Sequence, residues 1–361
     1  MESDWDGIRI TGSISAQKVD RIPFTPYTVL LMGQTGVGKS NFIEKLVGDP
    51  SLGISKDQLE GVTQEVSAFK ILGLQRTWSD IYLIDVPGFA DRKISEMRIV
   101  DMVRNWVDEH VSPIGMGSIS YIIYIDRITD TRVPGSKRKL MAMFKEILGP
   151  RTARSVTIVT SMWDEVWTDA QLRRAEDRFN QLQGEHWKVN LTLIVSQIYT
   201  INEIHNAFIQ DLIEQGARIA KFDNTQESAF SILRDLVHHS TNSKEYAGFD
   251  RAKKIRATAA GMSIYQNLLE RIEAQSQRLR TIEEDLKDEL TIANEELVMV
   301  LSKEKADVEA DLELFKQELK DFGDAPEPKA EPQPRKSLHV REALGQTKGK
   351  IKQFWNTHWH S

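Results

Sequence analysis

Short apolar runs separated by longer amphipathic stretches dominate the first two-thirds of the chain. Tyr27–Met32 (YTVLLM) reads as a buried strand that passes at once into a glycine-rich turn and a helix over Lys39–Val47. Ser67–Leu72, Ile81–Ile84, Ile119–Ile125, Val156–Val159 and Leu191–Val195 read as further strands. Helical spacing recurs over Glu96–His110, Lys137–Leu148, Asp169–Gln183 and Asn202–Lys221. Such alternation predicts an α/β fold, a mostly parallel six-stranded sheet with helices on both faces.

The pattern then changes. Residues 223–261 are expected to form a helical connector, where FDNTQESAFSIL, from Phe222, suggests a loop capped into a helix. Met262–Phe322 contains neither Gly nor Pro over 61 residues, with apolar residues at mostly three- and four-residue steps from Leu279 onward. One continuous helix of that length would reach ~90 Å. The step from Leu286 to Leu290 breaks the heptad phase, so the expectation is a stuttered coiled coil or an arm that folds back on a partner. Residues 323–335 are a Pro-rich linker, and 336–361 a basic tail bearing Phe354, Trp355 and Trp359. The organisation expected is an extension (1–24), an α/β domain (25–222), the connector, the long helix, the linker and the tail.

Charge and composition narrow the function classes. The net charge is −6 over 361 residues, with 16 acidic against 8 basic residues between Met262 and Phe322 and 6 basic against one acidic from Arg335 to Ser361. A nucleic-acid-binding domain would show a basic face, and the front of the chain shows none. If helical, the tail places Leu344, Ile351, Phe354 and Trp355 on one side among lysines, a pattern suited to an anionic membrane surface or to docking on its own protein. With no cysteine there is no disulfide framework, no thiolate zinc site and no cysteine nucleophile. The longest apolar stretch, near Ile119–Ile125, is far short of the ~20 residues of a spanning helix. The N-terminal residues lack the apolar core of a secretion signal. A soluble, cytoplasmic protein is expected. The adjacent His238 and His239 have no carboxylate at ligand spacing and read as surface residues.

The chemistry concentrates at the end of the first strand. Gly33-Gln34-Thr35-Gly36-Val37-Gly38-Lys39-Ser40 matches G-x-x-x-x-G-K-[ST] and sits between a strand and a helix, as the motif requires. Its glycines let backbone N–H groups turn inward on a polyphosphate at a helix N-terminus. Lys39 then faces the β- and γ-phosphates, the Ser40 hydroxyl can ligate Mg2+, and Asn41 follows on the same turn. Asp85 ends the apolar strand 45 residues beyond Ser40, where the second Mg2+ contact of such a site arises. In Asp85-Val86-Pro87-Gly88, Gly88 can offer its N–H to a γ-phosphate.

Taken with Gly61-Val62-Thr63-Gln64-Glu65-Val66 and with Phe89 after Gly88, these residues make the stretch 25–220 resemble P-loop GTPases, and among them the septin and GIMAP group. The likeness is greatest to G-domain proteins of filamentous and mushroom-forming fungi. The resemblance implies that Thr63 is the switch threonine that closes over Mg2+ and the γ-phosphate. It also implies GTP as the nucleotide, read by an N/T-K-x-D segment after the fifth strand. Ser161-Met162-Trp163-Asp164 fills that slot. Asp164 is suited to the guanine N1–H and amino group, Met162 or Trp163 can cover the ring, and Ser196 is the candidate for a backbone contact to the guanine oxygen. The residue that orients water in Ras-like enzymes is a glutamine, where this chain has Phe89, which predicts slow hydrolysis. Acceleration would come from another group, with Arg92, Arg98, Arg127 and Arg132 as candidates, or from a homodimer built through the α/β domain or the coiled coil. The functions expected are a slow Mg2+-dependent GTPase switch or a GTP-bound assembly protein with negligible turnover; an ATP-dependent P-loop protein is the third reading.

Overall fold

The computed structural model describes residues 8–23, 27–55, 63–76, 79–91, 93–111, 119–130, 153–183, 212–238 and 259–326. Among them seven strands form one sheet: β1 (Ile8–Val19), β2 (Tyr27–Gly33), β3 (Ser67–Arg76), β4 (Ser79–Asp85), β5 (Tyr121–Arg127), β6 (Val156–Ser161) and β7 (Arg218–Lys221). Their order is β1-β3-β4-β2-β5-β6-β7. The pairs from β4 to β7 are parallel, and β3 and β1 extend the sheet antiparallel.

The alternating faces of β2 explain why its sequence is apolar throughout. Val29 and Leu31 face one layer, where they meet Phe42, Ile43 and Leu46 of helix α1 (Lys39–Val47) and Ile232, Leu233 and Leu236 of α4 (Gln226–His238). Leu30 and Met32 face the other, against Ile99, Val100 and Val103 of α2 (Glu96–His110). A parallel strand buried on both sides carries no polar alternation. Helix α3 (Asp169–Gln183) covers the β6–β7 end through Ala175 and Phe179.

The expected α/β sheet is present, with differences at both edges. The N-terminal stretch read as an extension supplies β1, paired with β3 from Ile8↔Arg76 to Val19↔Ala68 across an irregularity. An edge strand with one exposed side needs few apolar residues, so its sequence (IRITGSISAQKV) carried a weak signal. The end of the expected helix Asn202–Lys221 is a strand instead. Gly216, at φ 105°, terminates a short helical turn, with the Gly216 and Ala217 amides bonded back to Ile213 and Leu212, and Arg218–Lys221 then pairs with Thr157–Thr160. The expected strand Leu191–Val195 and helix Lys137–Leu148, with Ser196, Arg92, Arg132, His239 and the basic tail, lie outside the described residues.

The stretch Met262–Phe322 is not one helix. Helix α5 (Ala259–Asp285) and helix α7 (Glu295–Phe322) are joined through the short α6 (Glu289–Ile292). Tyr265 packs on Phe322 while Arg278 bonds Glu304 and Glu283 bonds Lys305, so the two long helices run antiparallel. Two caps make the reversal: Asp288 accepts from the Leu290 and Thr291 amides, and Asn294 accepts from Leu297. The phase break at Leu286–Leu290 marks this turn, so the helix pairs with its own chain and not in a long coiled coil. The hairpin joins the α2 layer through Ile264, Leu268 and Phe322 and through an ion pair of Arg271 with Glu96, both largely buried.

Candidate functional site

Parallel pairing sets Leu31 of β2 beside Asp85 of β4, and Gly33 beside Ile125 of β5, so the loops after these strands meet at one edge of the sheet. That carboxyl edge is where open α/β sheets bind ligands. Gly33–Gly38 curls there into α1. Gly36 and Gly38 have φ of 79° and 93°, a left-handed conformation that favours glycine. Gly38 is the N-cap residue of α1 and leaves the helix start without a side-chain cap or an acidic residue in its first turn. Amides at an uncapped helix start suit an anion.

Four of the expected residues converge on this loop. The Ser40 hydroxyl donates to Asp85 Oδ2 at 2.6 Å, and the Thr63 hydroxyl lies 3.1 Å from Ser40 Oγ and 3.5 Å from the same carboxylate oxygen. Lys39 is buried, and its ammonium donates to the Gln34 carbonyl at 3.0 Å and to that of Gly33 at 3.4 Å. Burial lowers the Lys39 pKa to about 8, opposed by the nearby Asp85 and Asp91 carboxylates. Burial raises that of Asp85, opposed by Lys39 and by its bonds to Ser40 and Thr63. A hard divalent cation fits this donor set. All three neighbours offer oxygen, and the buried Asp85 Oδ1 has no hydrogen-bond partner in the protein. Mg2+ binds through one or two carboxylates with phosphate oxygens and water, so clusters of three acidic or imidazole ligands, which are absent among the described residues, are not required.

Gly88 locks against the loop. The Phe89 amide donates to the Gly33 carbonyl at 3.1 Å, the Thr35 amide to the Phe89 carbonyl at 2.9 Å, and the Thr35 hydroxyl to the Gly88 carbonyl at 3.1 Å. A Cβ on Gly88 would lie 2.4 Å from the Thr35 N and Cα, so only glycine fits. The Phe89 ring is buried (1% exposed) and cannot reach a water molecule in the site. Of the candidate arginines among the described residues, Arg98 and Arg127, it is Arg127 that touches the loop, its guanidinium donating to the Thr35 carbonyl at 3.4 Å. Arg98 sits exposed in the first turn of α2.

Asp164 is exposed at the same edge, after β6. Ser161, at the first position of its motif, donates to the Val37 carbonyl at 2.9 Å and ties the segment to the phosphate loop. Met162 is left-handed (φ 63°) and half-buried. Trp163 does not face outward to cover a base. Its indole N–H donates to Thr160, its ring meets Phe179 edge-on, and the Lys221 ammonium lies 4.5 Å from its centre. The strand beside β6 is β7, and its loop brings Asn224 to Asp164: Asn224 Nδ2 donates to Asp164 Oδ2 at 2.6 Å. Phe222-Asp223-Asn224-Thr225 opens the run whose loop-and-cap pattern the sequence shows, but the strand Arg218–Lys221 that aims this loop at Asp164 carries no such signal.

Known proteins resemble the chain in this region. A family model described as 50S ribosome-binding GTPase matches residues 28–129. GTP-binding protein A of Dictyostelium discoideum is 27% identical over 149 residues, which cover 39% of this chain and 29% of that protein. Translocase of chloroplast 34 of Arabidopsis thaliana is 22% identical over 213 residues, 59% of this chain and 55% of the relative. The chain therefore spans about a third to a half of the length of these relatives. Among solved structures, Toc33 from Arabidopsis thaliana in complex with Mg2+ and GMPPNP matches 61% of this chain and 87% of its own at 13% identity, with a TM-score of 0.43. With the Gly33–Ser40 loop, the Asp85–Gly88 segment and the sheet order on the page, residues 28–129 carry the core of a P-loop GTPase G domain.

Proposed function

We propose that this protein binds Mg2+-GTP and hydrolyses it slowly, acting as a molecular switch. The meeting of Lys39, Ser40, Thr63 and Asp85 at the mouth of one loop, with Gly88 docked against it, carries the reading. Ser40, Thr63 and Asp85 would hold the Mg2+, which when bound neutralises charge developing on the transferred phosphoryl group. Lys39, released from the Gln34 carbonyl, would pair with the β- and γ-phosphates, and the Gly38 end of α1 would receive them on its amides. Thr63 and Gly88 sit in two different segments that a γ-phosphate would hold together and a diphosphate would not. Asp164 supplies guanine preference over adenine.

Buried Phe89 favours a second reading, a GTP-bound assembly protein with negligible turnover. The septin and GIMAP likeness, an origin among fungal G-domain proteins and a cytoplasmic site of action belong to the same proposal. So does a homodimer formed through the G domain, since the helical arm pairs within its own chain. Single-turnover hydrolysis of GTP over a range of protein concentrations separates the two. A rate above buffer that climbs with concentration supports the dimeric GTPase, and a rate equal to buffer throughout removes hydrolysis. Displacement of labelled GTP by ATP as readily as by GTP would remove the guanine reading.

A further inference from the structure

Asp164 projects from a short turn into solvent, and an exposed carboxylate by itself rotates freely. Its backbone is held, because Trp163 is wedged between Phe179 and Lys221 and Lys221 is in turn paired with Glu176 at 2.6 Å. The carboxylate plane is set by something else. Asn224 Nδ2 donates to Asp164 Oδ2 at 2.6 Å, and Asn41 Nδ2 donates to Asn224 Oδ1 at 2.7 Å. The second bond decides the first. With its oxygen committed to Asn41, the Asn224 amide can turn only its N–H2 toward Asp164, and the reverse orientation would face oxygen to carboxylate.

Asn224 is itself built to stay in place. Its backbone is left-handed (φ 58°), a conformation that asparagine tolerates better than most residues. The next residue caps α4 reciprocally: the Ser228 amide donates to Thr225 Oγ1, while the Asp223 and Thr225 amides donate to Ser228 Oγ. Asn41, at the other end, directly follows Ser40 in α1. The chain of bonds thus runs from the start of the phosphate-loop helix to the carboxylate at the base site.

We infer that Asn224 is a positioning residue for base selectivity: it fixes the Asp164 carboxylate so that both oxygens meet the guanine N1–H and amino group together. This inference rests on the assignment of Asp164 as the base-reading residue. A freely rotating carboxylate must give up that freedom to align both oxygens with the two donors, so it discriminates less sharply between guanine and hypoxanthine, which lacks the amino group. Holding it costs Asp164 no acceptor capacity, because a carboxylate oxygen accepts more than one hydrogen bond.

The test compares GTP, ITP and magnesium tripolyphosphate binding to the full chain and to Asn224→Gly, Asn224→Asp and Asp164→Ala. Gly keeps the left-handed backbone and removes the amide; Asp keeps the shape and replaces the donor with a second carboxylate. Both Asn224 variants are expected to lose about tenfold of the GTP-over-ITP preference, the worth of one charge-assisted hydrogen bond, with tripolyphosphate affinity unchanged. A residue that merely filled space would leave the ratio intact in Asn224→Asp. An unchanged ratio in either Asn224 variant, beside a collapsed ratio in Asp164→Ala, overturns the inference and leaves the base reading standing. An unchanged ratio in Asp164→Ala overturns both. Parallel losses for all three ligands would place Asn224 in the phosphate loop and also overturn it.

Discussion

Gly88→Ala tests whether the Asp85–Gly88 segment senses the third phosphate. The added methyl would sit 2.4 Å from two backbone atoms of Thr35, about 1 Å inside ordinary contact, and neither atom can swing away as a side chain could. Relief requires the segment to lift from the loop. Three bonds tie Gly88 and Phe89 to the loop: Phe89 to Gly33, Thr35 to Phe89 and the Thr35 hydroxyl to Gly88. At about 1 kcal/mol net for each, the docked arrangement loses about 3 kcal/mol, equivalent to roughly a hundredfold in an equilibrium. A ligand that needs the docked segment should weaken by that factor, and one that does not should bind as before. Calorimetric titration of the variant with a non-hydrolysable GTP analogue and with GDP, both with Mg2+, should show the analogue falling roughly a hundredfold and GDP by less than about threefold. Equal losses for both ligands, or none for the analogue, would refute the idea that Gly88 distinguishes triphosphate from diphosphate.

Other outcomes follow from the same geometry. Lys39→Ala should abolish binding of GTP and GDP alike in a filter or fluorescence assay. In the parent protein, GTP affinity should fall as pH rises through about 8, because the buried Lys39 of the free protein loses its proton there, before an ordinary lysine would. The same depressed value makes the nucleotide-free fold gain stability between about pH 8 and pH 10.5. In that window the unfolded chain binds the proton that the folded one has released, and a urea titration at several pH values measures the slope. Asp85→Asn removes the charge that Ser40 and Thr63 surround, and should lose most of the Mg2+ dependence of GTP binding while leaving the fold intact. Asp164→Asn should move preference from GTP toward xanthosine triphosphate, read by competition. Arg271→Ala leaves the buried Glu96 carboxylate without its partner across the hairpin junction; a loss of about 3 kcal/mol in urea unfolding is expected, and no loss would mean the ion pair is dispensable.

The site's phosphate end was legible because local geometry dictates it. A loop of closely spaced glycines between an apolar strand and a helix has few backbone solutions, so Gly33–Ser40 could be placed without knowing what lies beside it. Asp85 was legible for the same reason, as the polar end of a strand buried on both faces. The base end was legible only up to Asp164. Which strand lies beside β6, and therefore which loop reaches Asp164, depends on pairing across 61 residues, and four residues of strand (RIAK) carry no periodicity able to announce it. From its place in the sequence Trp163 can cover a ring as readily as Met162 can. Only the packing of Phe179 and Lys221 around it decided that it points inward.

The same division holds in the C-terminal helices. The chain by itself determined that Met262–Phe322 is helical and that its apolar phase breaks after Leu286, since both follow from residue spacing along one helix. Whether the break becomes a stutter in a long rod or a full reversal turned on tertiary contacts: Tyr265 on Phe322, Arg278 with Glu304, and Arg271 reaching Glu96. Local steric and capping preferences act over a few residues and can be read from the order of side chains. Strand neighbours, helix partners and the direction in which a carboxylate is held are set by groups distant in the chain, and these only the folded structure brings together.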